Sequence, residues 1–341
     1  MTRKVSVAIL GSTGFVGIEL VKILSNHPNV NIVFFGTENN PNTLLKDIDP
    51  RINLQNNPST ELNTNFDYSL ADTVFLALPH GVSNKYVKSF YNKLQIIDLS
   101  ADFRLDDINM YKINYDEMHS APNLLNEFIY GLPEINKNIL NNKNNIAVPG
   151  CYPTSILLPL IPLIQKKMIY LNNIIIDSKS GYSGAGRGVH KKYKDKNLYE
   201  SLSAYGVAFH RHNIEIEQEI KKHTKSKFNF TFTPHLSPMF RGILSTIYLD
   251  LKPGFSISKA YSLLKKFHKN NKFIKILNLN SLVSTNDVIN TNNCYISICR
   301  SKYKNRVVIL SALDNLIKGG AGQAIQNMNL KFGFNDYEGL R

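Results

Sequence analysis

Short apolar runs alternate with amphipathic stretches through the first half of the chain. Val5–Leu10 is a mostly apolar run closed by Gly11; at that length it reads as a buried strand. From Phe15 to Ser25 the apolar positions Val16, Leu20, Ile23 and Leu24 recur at helical spacing and predict a helix. Asn31–Phe35, Ala71–Leu78, Gln95–Asp98 and Ile146–Val148 repeat the strand pattern, and Ser83–Tyr91 predicts a helix with Ser83 as its N-cap. This alternation predicts parallel βαβ units, hence an α/β fold with a doubly wound parallel sheet. Residues 39–66 and 105–144 are rich in Asn, Asp and Pro and read as loops or excursions.

The pattern changes after Pro149. Ile174–Asp177, Phe228–Thr233, Ile243–Leu251, Cys294–Cys299 and Arg306–Ser311 read as strands, and Ile214–His223 and Lys259–Asn270 as helices. They predict a second, α+β domain with a mixed, mostly antiparallel sheet. Leu316–Leu330 is helical in pattern, glycine-rich at its start, and expected to return to the first domain. For 341 residues two domains are natural. The expected division is 1–149 and 150–314, with 315–341 packing back onto the first.

Lys and Arg number 40 against 26 Asp and Glu, a formal charge of +14. That balance raises nucleic acid as a partner, but the charge is dispersed. Its densest run, Lys191-Lys192-Tyr193-Lys194-Asp195-Lys196, is short and followed by Glu200. A solvated basic surface is the expectation, with no nucleic-acid partner. Three cysteines (Cys151, Cys294 and Cys299) make no disulfide framework and suit a reducing compartment. Cys294 and Cys299 fall on opposite faces of an alternating strand and read as packing residues. Val5–Leu10 is too short for a signal core, and the apolar run Ile156–Ile164 is interrupted by Pro159 and Pro162. A cytoplasmic protein without a membrane span is expected.

Gly11-Ser12-Thr13-Gly14-Phe15-Val16-Gly17 joins the first strand to the first helix. In that context a glycine turn brings backbone N–H groups and a helix N-terminus to a pyrophosphate; a plain βα turn is the alternative. At the end of the second strand, Gly36-Thr37-Glu38 occupies the position that selects the cofactor. An acid there suits a free ribose 2′-hydroxyl, unless Glu38 points to solvent. Pro149-Gly150-Cys151-Tyr152-Pro153-Thr154 places a thiol at a helix start, where the helix dipole favours the thiolate and main-chain N–H groups can hold an oxyanion. The alternative is a buried packing cysteine. His210-Arg211-His212, with Glu215 a turn further on, offers an acid/base partner for Cys151. Without HExxH or CxxC spacing no metal is expected. Arg104, Arg241 and the loop Ser180–Arg187 are further anion- or ligand-facing candidates, with salt-bridged or solvent-exposed loops as the alternatives.

Together these segments resemble the N-acetyl-γ-glutamyl-phosphate reductase family nearly end to end. The matching stretches are GSTGFVG (11–17), FLALPHGVS (75–83), DLSADFRL (98–105), YGLPE (130–134), PGCYPT (149–154), SGYSGAGR (180–187), HRHNIEIEQ (210–218), FTPHLSPMFRGILST (232–246) and KGGAGQAIQNMN (318–329). The resemblance implies a Rossmann domain, a catalytic α+β domain, and a C-terminal helix beside the nicotinamide. It implies Cys151 as nucleophile, His210 as acid/base and Glu215 as the carboxylate paired with it. Substrate contacts are implied at Arg104 and Arg241. Cofactor contacts are implied along the glycine turn 11–17 and at Thr37, Pro79, His80, Ser183, Gly184 and Asn315. NADPH is the implied cofactor, with NAD raised by Glu38, which stands where a basic or hydroxyl residue would meet the 2′-phosphate. Ile214 stands where the family usually has proline, a change expected to alter the loop presenting His210. The implied partner is a small molecule, N-acetyl-glutamyl phosphate, acted on by a homo-oligomer (dimer or tetramer). Neighbouring readings are aspartate-semialdehyde dehydrogenase, a lysine-pathway aminoadipyl-phosphate reductase and, remotely, a basic Rossmann protein that binds nucleic acid without catalysis.

Overall fold

The computed structural model describes residues 3–52, 54, 56–188 and 197–341; the basic run 191–196 lies outside them. The chain divides into two compact units, one running through Pro149 and resuming at Gly320–Arg341, the other spanning Gly150–Gly319. Residues 315–319, expected with the C-terminal helix, belong to the second unit.

The first unit is built on a parallel sheet of β1 (Val5–Leu10), β2 (Val30–Thr37), β3 (Glu61–Leu62), β4 (Thr73–Leu76), β5 (Gln95–Asp98), β6 (Phe128–Tyr130) and β7 (Asn145–Ala147). Their order is β3-β2-β1-β4-β5-β7-β6, each neighbouring pair parallel. Strands β4 and β5 are buried along their whole length, as a sheet covered on both faces requires. Helix α1 (Phe15–Leu24) covers one face with Ile18, Leu20, Val21 and Leu24. On the other face, α2 (Ser83–Phe90) contributes Tyr86, Val87 and Phe90. The segment 105–144 is more than an excursion: it holds β6 and helix α3 (Ile108–Tyr115). Three residues are too few to show a periodicity, which is why β6 is silent in the sequence. Ser83 is not the N-cap of α2. That place falls to Val82, without a side-chain bond, while the Asp102 carboxylate accepts the Asn84 N–H at 3.3 Å from a distant segment.

The second unit opens with α4 (Cys151–Gln165), which runs unbroken through Pro159 and Pro162. A proline at 162 leaves the Leu158 carbonyl without its helical donor; the buried His268 ring nitrogen Nε2 lies 3.0 Å from that oxygen and takes the place. The helix lies on a mixed sheet of β8 (Ile174–Gly181), β9 (Ser203–Ala204), β10 (Phe230–Ser237), β11 (Ile243–Asp250), β12 (Ile274–Ile276), β13 (Cys294–Arg300) and β14 (Arg306–Leu313), ordered β12-β13-β14-β11-β8-β10-β9. Parallel pairing is confined to β8–β10 and β12–β13. The helices α5 (His212–Lys221) and α6 (Ile257–Phe267) pack against α4. Buried hydroxyls join the layers: Ser155 and Ser178 each lie 2.7 Å from Ser245. The last helix, α7 (Gly322–Lys331), belongs to the first unit, where Ala324, Ile325 and Met328 enter its core. Among the described residues no helix is long and apolar enough to cross a membrane.

Candidate active site

In the first unit the turn 11–17 is shaped by close backbone approach. Gly11 has φ +82°, and a Cβ there would strike the Ala77 carbonyl. A Cβ at Gly17 would strike the Gly11 carbonyl. Gly14 is the N-cap of α1 without a side-chain capping bond. First-turn N–H groups have no partners within a helix, so this end is suited to an anionic group. Ser12 and Thr13 tie the turn to β2: Ser12 Oγ donates to the Gly36 carbonyl at 2.9 Å, and Thr13 Oγ1 lies 3.1 Å from Thr37 Oγ1. Asn63, from the segment read as loop, accepts the Gly11 N–H at 3.2 Å and donates to Glu38 at 3.2 Å. Glu38 itself is exposed. The crossing from a glycine turn to a helix N-terminus at the carboxyl end of β1 fits a dinucleotide pyrophosphate.

Pro79 and His80 follow β4. The His80 ring has Asp102 Oδ1 at 2.8 Å and Glu117 Oε1 at 2.7 Å. Arg104 is buried, donating from Nε to the Val148 carbonyl (2.8 Å) and from Nη2 to that of Leu99 (2.9 Å). It thereby pins the ends of β5 and β7. Asp98 is fully buried; burial first, then the neighbouring Asp102, push its carboxyl up to about 7.

In the second unit Cys151 is the first residue of α4, with Gly150 as N-cap. The Gly150 N–H donates to Glu215 Oε1 at 2.7 Å, and Glu215 Oε2 lies 4.0 Å from His212 Nε2. Through Gly150, Glu215 braces the turn ahead of the cysteine, and its other oxygen faces the second histidine. His210 Nδ1 accepts the main-chain N–H of His212 at 3.1 Å. A neutral ring therefore carries its hydrogen on Nε2. The His210 ring is boxed by Tyr152, Tyr205, His212 and Phe232, at centroid distances of 4.7 to 5.7 Å. Tyr152 is buried with its hydroxyl 3.2 Å from that of Tyr205, and burial holds it well above the usual phenol range. Ile214 lies in the first turn of α5, where the N–H has no helical partner. The helix begins at His212, so Ile214 is its third residue.

Ser183, Gly184 and Asn315 come together: Asn315 Nδ2 donates to Ser183 Oγ (3.0 Å), and its Oδ1 accepts the Gly242 N–H (2.7 Å). Arg241 is buried with Nε 2.7 Å from Asp314. Asp314 also accepts the N–H groups of Asn290, Leu316 and Ile317, at 2.7, 2.9 and 3.3 Å. It thus anchors the wide π turn Ile317–Ala321. That turn carries Gly319, whose Cβ, if present, would lie 2.6 Å from Cys151 Cβ. Cys294 is buried opposite Leu313, beside Asp314 in the strand register, and Cys299 is half-buried further along the strand opposite Val308. Among the described residues no group of three or more His, Cys, Asp or Glu is set to hold a metal ion.

Residues 6–143 match the family model described as semialdehyde dehydrogenase, NAD binding domain, and 151–315 that of semialdehyde dehydrogenase, dimerisation domain. An N-acetyl-gamma-glutamyl-phosphate reductase of Halothermothrix orenii is 44% identical over 99% of this chain and 98% of its own length. The chain belongs to the N-acetyl-γ-glutamyl-phosphate reductase family. A probable chloroplastic member from Oryza sativa subsp. japonica is 41% identical, covering 99% of this chain and 82% of its own. Aspartate semialdehyde dehydrogenase II of Vibrio cholerae shares the fold: TM-score 0.74 at 16% identity, over 97% of this chain and 99% of that one.

Four residues that contact the candidate positions escaped the sequence reading: Asn63, Asp102, Glu117 and Gly319. Asn63 and Glu117 lie in segments read as loops or excursions, and Gly319 in a glycine-rich helix start. Only their contacts distinguish them.

Proposed function

We propose that this reductase-family chain reduces N-acetyl-γ-glutamyl phosphate to the γ-semialdehyde in arginine biosynthesis, with Cys151 as nucleophile. The observation carrying the proposal is Cys151 at the N-terminus of a fifteen-residue helix, in the same unit as His210, whose Nδ1 accepts the His212 N–H. The Cys151 thiolate attacks the γ-acyl carbon; the C–S bond forms, the C–O bond to phosphate breaks, and phosphate departs with the electron pair. Main-chain N–H groups at the start of α4 hold the oxyanion. When bound, a reduced nicotinamide supplies the hydride that takes the thioester to the aldehyde level. The His210 Nε2–H donates a hydrogen bond to the oxyanion of the tetrahedral intermediate; as that oxygen's electron pair re-forms the carbonyl, the C–S bond breaks and Cys151 leaves as thiolate with the bonding pair. Glu215 holds Gly150, and through it the nucleophile's turn. Arg104 and Arg241 are the cations assigned to the substrate's negative groups, each preset by carbonyls or by Asp314.

The turn 11–17, with Thr37, Pro79 and His80, is assigned to the dinucleotide, and Ser183, Gly184 and Asn315 to its nicotinamide end. The family supports NADPH, and the exposed Glu38 leaves NADH as the alternative for the assay to decide. A homo-oligomer is supported by the open face of the second sheet, where Ile175, Tyr248 and Val308 lie abreast on β8, β11 and β14.

The test is NADPH consumption with N-acetyl-glutamyl phosphate, run beside NADH and beside aspartyl phosphate. Cys151→Ser is expected to abolish turnover and leave cofactor binding intact. Near-wild-type turnover by that variant sinks the mechanism, and turnover of aspartyl phosphate alone moves the chain to the aspartate-semialdehyde reading.

A further inference from the structure

His80 sits in the turn Ala77–Val82, which follows β4 and abuts the glycine turn: the Ala77 N–H donates to the Leu10 carbonyl at 2.9 Å, and the Ala77 carbonyl blocks any side chain at Gly11. Asp102 grips this turn three times. Its Oδ1 accepts the Gly81 N–H at 2.8 Å, where Gly81 has φ +78°; its Oδ2 accepts the Asn84 N–H; and Oδ1 also lies 2.8 Å from His80 Nδ1. On the opposite edge of the ring Nε2 faces Glu117 Oε1 at 2.7 Å, while Tyr115 stacks on the ring face at 3.9 Å between centroids. The Tyr111 hydroxyl donates to the same Glu117 oxygen at 3.2 Å. Carboxylate oxygens thus stand within 2.8 Å of both ring nitrogens, one on each edge of the imidazole.

We propose that His80 is a positioning residue: clasped between the Asp102 and Glu117 carboxylates, it ties the segment 111–117 to the turn after β4 and so sets the wall of the dinucleotide site beside Gly11. The proposal rests on the cofactor reading above. It gives His80 a different part from the direct cofactor contact expected of it, because both edges of the ring face carboxylates of the protein. Asp102 is buried and fixed by main-chain donors, so it is the stationary jaw. Glu117 is about half exposed and comes from a loop, so it is the jaw that can be loosened without disturbing the core.

The experiment is NADPH binding, followed by nucleotide fluorescence and by calorimetry, for the wild-type chain, Glu117→Gln, Glu117→Asp and His80→Gln. Loss of one partly exposed carboxylate from the clasp predicts a Kd raised about three- to fivefold in Glu117→Gln. Partial recovery is expected in Glu117→Asp, and a larger loss in His80→Gln. In Glu117→Gln, kcat at saturating NADPH and the rate of Cys151 alkylation by iodoacetamide stay at wild-type values, so that only the cofactor KM moves. A merely structural clasp would lower the melting temperature and leave Kd unchanged; that outcome overturns the proposal. If His80→Gln does not fold, Glu117→Gln decides alone. Absence of NADPH and NADH binding by the wild-type chain overturns the cofactor reading and this inference with it. Wild-type binding with unaltered variants overturns only the clasp.

Discussion

Replacing Gly319 by alanine tests how the nucleophile is held. Gly319 is the middle residue of the π turn, its N–H bonded to the Asp314 carbonyl at 2.9 Å. An added methyl would stand 2.6 Å from Cys151 Cβ, 3.1 Å from its Cα and 3.3 Å from Leu313 Cδ1. Carbon atoms rest about 3.5–4.0 Å apart, so the closest contact must open by about 1 Å. Two backbones meet there, and neither can swing aside as a long side chain would. Overpacking of this kind costs about 1–3 kcal/mol; at about 2–4 °C per kcal/mol the melting temperature falls by several degrees. A reacting atom displaced by about 1 Å costs about 10²-fold in rate. The assay is steady-state NADPH oxidation beside the rate of Cys151 alkylation across pH, with calorimetry on the same preparation. The expected result is kcat lower by about 10²-fold, an altered alkylation profile and an unchanged Kd for NADPH. A variant that melts several degrees lower yet keeps kcat within about twofold of wild type refutes the coupling between this turn and the nucleophile.

Gly17→Ala is expected to weaken dinucleotide binding by more than about tenfold, since its Cβ would sit 2.8 Å from Ser12 Cα and against the Gly11 carbonyl, spreading the pyrophosphate turn. Calorimetric titration measures it, and Cys151 alkylation should be untouched. Asp98 is raised from 3.8 to about 7 by burial and then by Asp102, so the folded state binds its proton more tightly than the unfolded chain. Its contribution to stability is therefore full below pH 3.8 and is lost as pH rises through about 7. Asp98→Asn should flatten the fall in melting temperature over that window; an unchanged slope refutes the assignment.

The parallel half of the fold was legible because continuous apolar strands separated by helical periods admit few other solutions. Val5–Leu10 and Gln95–Asp98 end where the pattern places them. Elements of two or three residues, β3 and β6, left no periodic signal and exist only because longer neighbours offer them an edge. The two prolines in Ile156–Ile164 look like breaks in a sequence, yet α4 passes through them because a histidine more than a hundred residues away supplies a donor to Leu158. The cap of α2 was misplaced for the same reason: Ser83 is the local candidate, and Asp102 reaches the helix end from another segment.

The chemistry divides in the same way. By itself the sequence determined what is local: a glycine turn between strand and helix, a thiol at a helix start, and histidines spaced one residue apart. Backbone freedom, helix polarity and side-chain chemistry are properties of neighbouring residues and travel with the string. Only the tertiary structure decided which partners those groups have. It turned Glu215 toward Gly150 and His212, enclosed His80 between Asp102 and Glu117, and brought Gly319 against Cys151 across most of the second unit. Hydrogen bonds, ion pairs and close contacts act over a few ångströms, and chain folding, rather than spacing along the sequence, sets which residues come within that range.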